Sequence, residues 1–212
     1  MVLNCSPNRY VSLSVQPALC ALLPVVLACA LVACQSPDST DESQGMFVVV
    51  ELPPLTTDRA STGGISFADF DGDGDADLFV TNGYDVSSPD PAPQANRLYE
   101  NSEGLYEVRE IDGLANLDGF SSGSAWADYD NDGDLDTFIA NQRDQANAML
   151  LQETTGDGAT RFVEHAADVL ANDKGWSYSV AAADADNDGF VDVYVSNGGL
   201  SHHGVNFLYR NI

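Results

Sequence analysis

Three short stretches crowd carboxylates together: Asp69, Asp71, Asp73 and Asp77; Asp128, Asp130, Asp132 and Asp136; and Asp184, Asp186, Asp188 and Asp192. Each reads Asp-x-Asp-x-Asp-Gly-x-x-Asp, with Gly74, Gly133 or Gly189 at position six. Four acidic groups within nine residues repel one another unless a cation intervenes. Calcium suits such a loop, because it accepts six to eight oxygens at about 2.3 to 2.6 Å in flexible geometry. Magnesium gives up its water reluctantly and seldom sits in an all-protein cage. Alternation lets the carboxylates at positions one, three and five converge, and glycine at position six permits the sharp return of the chain. Position seven need supply only its backbone carbonyl, so Asp75, Asp134 and Phe190 are interchangeable there. The expectation is three calcium sites.

Other chemistries fit these residues less well. An EF-hand needs a bidentate Glu at position twelve, where this chain has Val80, Ile139 and Val195. A glycosidase needs two acidic groups facing each other across one cleft, whereas these aspartates recur in three equivalent places; no catalytic activity is expected. The three histidines are His165, His202 and His203, and the adjacent pair reads as part of a solvated loop. Trp126, Trp176, Phe67, Phe70 and Tyr129 lie near the acidic loops. They are expected to fill the space between repeats, with a carbohydrate-stacking surface as the alternative.

The loops belong to longer repeats. SFADFDGDGDADLFVTNG from Ser66, AWADYDNDGDLDTFIANQ from Ala125 and VAAADADNDGFVDVYVSNG from Val180 superpose without a gap through the acidic core. Asp69, Asp128 and Asp184 are spaced by 59 and 56 residues. A strand-like piece heads each unit, at 46–50 (MFVVV), 105–111 (LYEVREI) and 161–165 (RFVEH). A second strand enters the loop, a third leaves it at 78–80, 137–139 or 193–195, and a fourth is written NRLYEN, NAMLLQ or NFLYRN. β-Branched and aromatic residues dominate these pieces. Four short strands per repeat predict an all-β fold of propeller-type blades, each of four antiparallel strands. A turn of helix over 162–170 is the one exception expected.

Taken together, these repeats resemble the FG-GAP or VCBS type found in the propellers of integrin α-subunits. Blocks such as WADYDNDGDLDTFIAN followed by N-x-L-Y-x-N are similar to bacterial relatives of cartilage acidic protein, often accompanied by an ASPIC/UnbV domain. The resemblance covers about residues 45 to 212 and implies calcium in the loops and an adhesive or carbohydrate-binding or protein-binding role. The literal Phe-Gly…Gly-Ala-Pro signature is absent, its place being taken by Ile65-Ser66-Phe67-Ala68 and counterparts, so an integrin-type ligand face does not carry over. Propellers have about four to eight blades, and only three repeats are present, at about 46–101, 102–152 and 159–212. This is read as an incomplete propeller or a fragment. The alternative is the N-terminal part of a larger exported enzyme or enzyme-assembly protein.

Charge separates these repeats from what precedes them. Of 33 acidic and 8 basic side chains, only Arg9 precedes Ala33, so the remainder holds 33 acidic against 7 basic groups, a net charge near −26. Such a surface repels nucleic acid. Residues 1–33 contain an apolar run at 18–33, interrupted by Pro24, that is short for a span of about 20 residues and reads as a signal peptide. Leu31-Val32-Ala33-Cys34 resembles a bacterial lipobox, which implies a diacylated Cys34. All four cysteines, Cys5, Cys20, Cys29 and Cys34, lie in this region, so disulfides do not hold the repeats. Residues 34–45 read as a polar tether. The expectation is an exported cell-envelope lipoprotein, attached to the membrane through its lipid alone. Gln35 after the cysteine points to the outer membrane by resemblance to enterobacterial sorting.

Overall fold

The structure is a computed structural model that describes residues 49–83, 92–114, 117–165, 169, 174–198 and 204–212. The expected signal peptide, Cys34 and tether lie outside the described residues. So do His202 and His203, together with most of the variable loops at 84–95 and 197–205.

The described elements are antiparallel strands in three successive sheets, the all-β, blade-like class expected. The first sheet has the order β1 (Thr62–Ala68), β2 (Asp77–Asn82), β4 (Arg97–Ser102), β5 (Leu105–Arg109). The second repeats it with β7 (Ser121–Ala127), β8 (Asp136–Asn141), β10 (Ala148–Thr154) and β11 (Thr160–Glu164). The third has β13 (Ser177–Ala183), β14 (Asp192–Asn197) and β15 (Phe207–Tyr209). Two short ladders complete the set: β3 (Gln94–Ala95) with β6 (Asp118–Gly119), and β9 (Gln145–Ala146) with β12 (Lys174–Gly175). Each ties one sheet to the next.

Strand order within the repeats differs from the expectation in one respect. The strand at the head of the second repeat, β5, pairs with β4 of the preceding sheet, and β11 pairs with β10 in the same way. Sequence repeat and sheet are therefore one strand out of phase. A tight hairpin through Glu103 and Gly104, both with positive φ, brings β5 back along β4 before the chain crosses to the next sheet. At the first such position, Val49 and Val50 are exposed and outside any strand. The expected helix over 162–170 is replaced at its start by β11, and the remainder, His165 and Val169 apart, lies outside the described residues.

Successive sheets stack through their innermost strands. A Cβ on Gly63 would meet the Ser121 carbonyl oxygen at 2.5 Å and one on Gly64 the Ser122 oxygen at 2.6 Å, so only glycine lets β1 come this close to β7. Ser122 Oγ donates to the Ser177 carbonyl at 2.5 Å, joining β7 to β13. Farther out, Phe70, Phe79, Leu98, Ile111, Leu114, Ile139, Leu150 and Phe162 fill the space between the first two sheets. Tyr129, Phe138, Met149, Val193 and Val195 fill the next. Trp126 stands edge-on to both Phe79 and Phe162 at 5.5 and 5.8 Å. Phe70 and Tyr129 are buried and Trp126, partly buried, packs against the core, as expected, whereas Phe67 is 61% exposed.

Candidate metal centres

Each acidic loop joins the innermost strand of its sheet to the second, entering from β1, β7 or β13 and leaving by β2, β8 or β14. Two residues per loop carry the left-handed conformation that makes the return possible. At position six the glycines have φ of 97°, 101° and 95°, in the sparsely populated region that favours glycine. Position four, Gly72, Asn131 and Asn187, also has positive φ, at 73°, 60° and 61°. Sequence reasoning passed over position four, although Gly, Asn and Asn are the residues that tolerate it.

Backbone donors then orient the carboxylates in the same way in every loop. Position one accepts from the position-six N–H at 3.0 Å in all three: Asp69 from Gly74, Asp128 from Gly133 and Asp184 from Gly189. Position five accepts from position seven, at 2.8 Å for Asp73, 2.9 Å for Asp132 and 3.0 Å for Asp188. Position nine is the buried hub. Asp77 takes the N–H of Phe70 and of Asn101, Asp136 those of Tyr129 and Gln152, and Asp192 those of Ala185 and Asn211, at 2.8 to 3.1 Å. One carboxylate thereby fastens the start of the loop to the strand after next. Burial is the main cause that pushes Asp136 up to about 6, with the neighbouring Asp130 and Asp132 charges adding to it. Asp77 is raised for the same leading reason.

These constraints gather oxygens within 4.8 Å of one another at Asp69, Asp71 and Asp77, at Asp128, Asp130 and Asp136, and at Asp184, Asp186 and Asp188. Oxygens that share a calcium at about 2.4 Å can stand at most about 4.8 Å apart, so each cluster can hold such an ion. Further, Asp69 Oδ1 is buried with no hydrogen-bond partner in the structure, a cost that a cation would remove. The third cluster has Asp188, at position five, in place of Asp192. Among the position-seven residues, Asp75 turns its carboxylate to the Glu103 N–H at 2.7 Å. Asp134 and Phe190 stand in the loops as N–H donors to position five.

A second repeated device escaped the sequence reading. Asn82, Asn141 and Asn197 end the second strands, and their N–H groups donate to Asn96, Asn147 and Asn206 Oδ1 at 2.9, 2.8 and 2.8 Å. Their amides donate in turn to the carbonyls of Ala95, Ala146 and Val205. The recurrence of these asparagines in the repeats was the available signal.

No curated protein matches the chain. A family model described as an FG-GAP-like repeat matches residues 128–195, from the first carboxylate of the second loop to Val195 of β14, which supports reading these repeats as FG-GAP-like.

Proposed function

We infer that the chain is a calcium-stabilised, propeller-type interaction module held at the cell envelope, with no catalytic activity of its own. One observation carries this reading. Three repeat-equivalent clusters of carboxylate oxygens, each within a 4.8 Å compass, are built over a hydrogen-bonded hub that ties loop to sheet. Calcium fits their all-oxygen donor sets, and its role is to neutralise the loop and so hold the strands that the loop joins.

The interaction is proposed to be with a protein or carbohydrate, through the variable loops at 84–95 and 197–205. The lipid at Cys34, export to the envelope, and kinship with the cartilage-acidic-protein relatives are proposed on the sequence motifs alone. Calorimetric titration of the full chain in detergent tests the central point. About three calcium ions per chain should bind, one for each cluster, with magnesium a weak competitor. An absence of binding at millimolar calcium overturns it.

A further inference from the structure

Two faces of the stack differ from all its internal ones. Phe79 and Phe138 occupy one position of successive repeats and are 1% and 0% exposed, because the following sheet covers each; Tyr194, at that position of the third repeat, is 45% exposed. Leu98 and Met149 are 3% and 8% exposed, whereas the equivalent Leu208 is 61% exposed. At the other end, Trp126 packs onto the first sheet. Its equivalent Phe67, on that sheet's far side, is 61% exposed beside Ile65 at 64%. The chain thus carries one uncovered face of each kind that its internal interfaces pair together.

The phase of the strands supplies a second observation. Residues 46–51 (MFVVVE) precede 105–110 (LYEVRE) by 59 positions, the interval that separates Asp69 from Asp128. Phe47 falls on Tyr106, Val49 on Val108 and Glu51 on Glu110, and beyond them Leu52 and Leu55 fall on Ile111 and Leu114. In the structure, the LYEVR strand completes the sheet before its own repeat, and Ile111 and Leu114 then descend between the two sheets. Leu55 already sits in the matching place. It lines a cleft with Leu78 and Tyr99 on the open face of the first sheet, as Leu114 packs with Ile139 and Leu150. Asp58 holds this segment down through Tyr99 Oη at 2.6 Å and Arg97 at 3.1 Å. Just ahead of it, Val49 and Val50 are 99% and 55% exposed. Among the described residues, β15 pairs with β14 alone, while β4 and β10 each have a second neighbour.

We propose that this chain associates head to tail with a second copy of itself: residues 46–50 of one copy add as the fourth strand beside β15 of the other. The open face of the first sheet then covers Tyr194 and Leu208. The register follows from the pairing of Leu98 with Arg109, which places Val50 opposite Leu208. The contact reproduces the two inter-sheet interfaces that the chain already makes, so a second copy brings a surface of the right shape and polarity. Two such contacts about a twofold axis close a ring of six sheets, within the range of about four to eight found in closed propellers. Closure removes both the exposed faces and the free sheet edge. The inference does not rest on the metal reading.

Sedimentation equilibrium of the full chain in detergent tests it, with circular dichroism as the check on folding. The unaltered chain should be a dimer. Leu208→Asp should weaken the dimer by at least about tenfold, because its equivalents Leu98 and Met149 are buried in the internal interfaces. Val50→Asp should weaken it by setting a charge directly opposite Leu208 in the added strand. An equimolar mixture of the two variants should recover part of it, because one of the two contacts then joins an intact head to an intact tail. A monomer at every concentration overturns the proposal, and would leave these faces to further sheets or to another protein. So would a dimer indifferent to both changes, or a mixture no better than either variant. Should a variant misfold, mixed Val50→Cys and Leu208→Cys chains give a second reading: the proposal requires a disulfide joining those two peptides, and its absence counts against it.

Discussion

At the scale of single residues, the acidic loops divide labour between holding an ion and holding the chain. Asp130, at position three, has no backbone duty beyond one N–H at 3.2 Å from Asp132. Asp136 is fully buried and accepts two N–H groups at 2.8 Å. Asp130→Ala should therefore remove one calcium site and leave the chelated protein about as stable as before. Asp136→Ala strands two buried donors and should cost about 3 kcal/mol in chelator. Urea denaturation of both variants with and without calcium separates the two roles; equal losses for both in chelator would contradict the division.

At the scale of elements, what joins the sheets matters more than what joins strands. Trp126 lies between the first two sheets, edge-on to Phe79 and Phe162 and donating its indole N–H to Ser66 Oγ at 3.1 Å. Trp126→Ala opens a cavity there and should cost about 3 kcal/mol. The loss should fall on the cohesion of sheets one and two, with calcium affinity of the third loop unchanged in calorimetry. The asparagine pairs act within a sheet, fixing the connection between second and third strands. The Gln-Ala-Asn segments at 94–96 and 145–147 combine both tasks: their glutamines accept the N–H of Ser61 and of Phe120 at 2.7 and 2.8 Å, and their strands β3 and β9 pair with the next sheet's β6 and β12.

For the whole molecule, charge and open faces set the conditions of stability. An excess near 26 negative charges after residue 33 follows from 33 acidic and 7 basic groups. Three bound dications would reduce it by six, concentrated where crowding is worst. The chelated protein should accordingly gain thermal midpoint as ionic strength rises toward the physiological range, by screening. The calcium-loaded protein should gain less. Equal salt dependence in both states would separate stability from loop charge. A head-to-tail dimer adds a concentration dependence to the midpoint, so these scans belong at one fixed protein concentration.

The sequence by itself determined the acidic loops, the strand content and the repeat, because each follows from local rules: carboxylate spacing, glycine at a left-handed turn, and alternation of β-branched with polar residues. It also held the signal for the position-four turn residues and for the asparagine pairs, where identity recurs without any chemistry that invites attention. Only the tertiary structure decided which sheet each strand joins. The strand that heads a repeat can pair forward or backward with equal local propensity, and the hairpin after β4 and the packing of Ile111 and Leu114 settle it backward. Only the tertiary structure likewise showed that the third cluster takes Asp188 in place of Asp192, since the loop pattern and the pair of backbone donors at position nine are the same in all three loops. Packing likewise separated Trp126 from Phe67, which share a repeat position but differ in whether another sheet covers them.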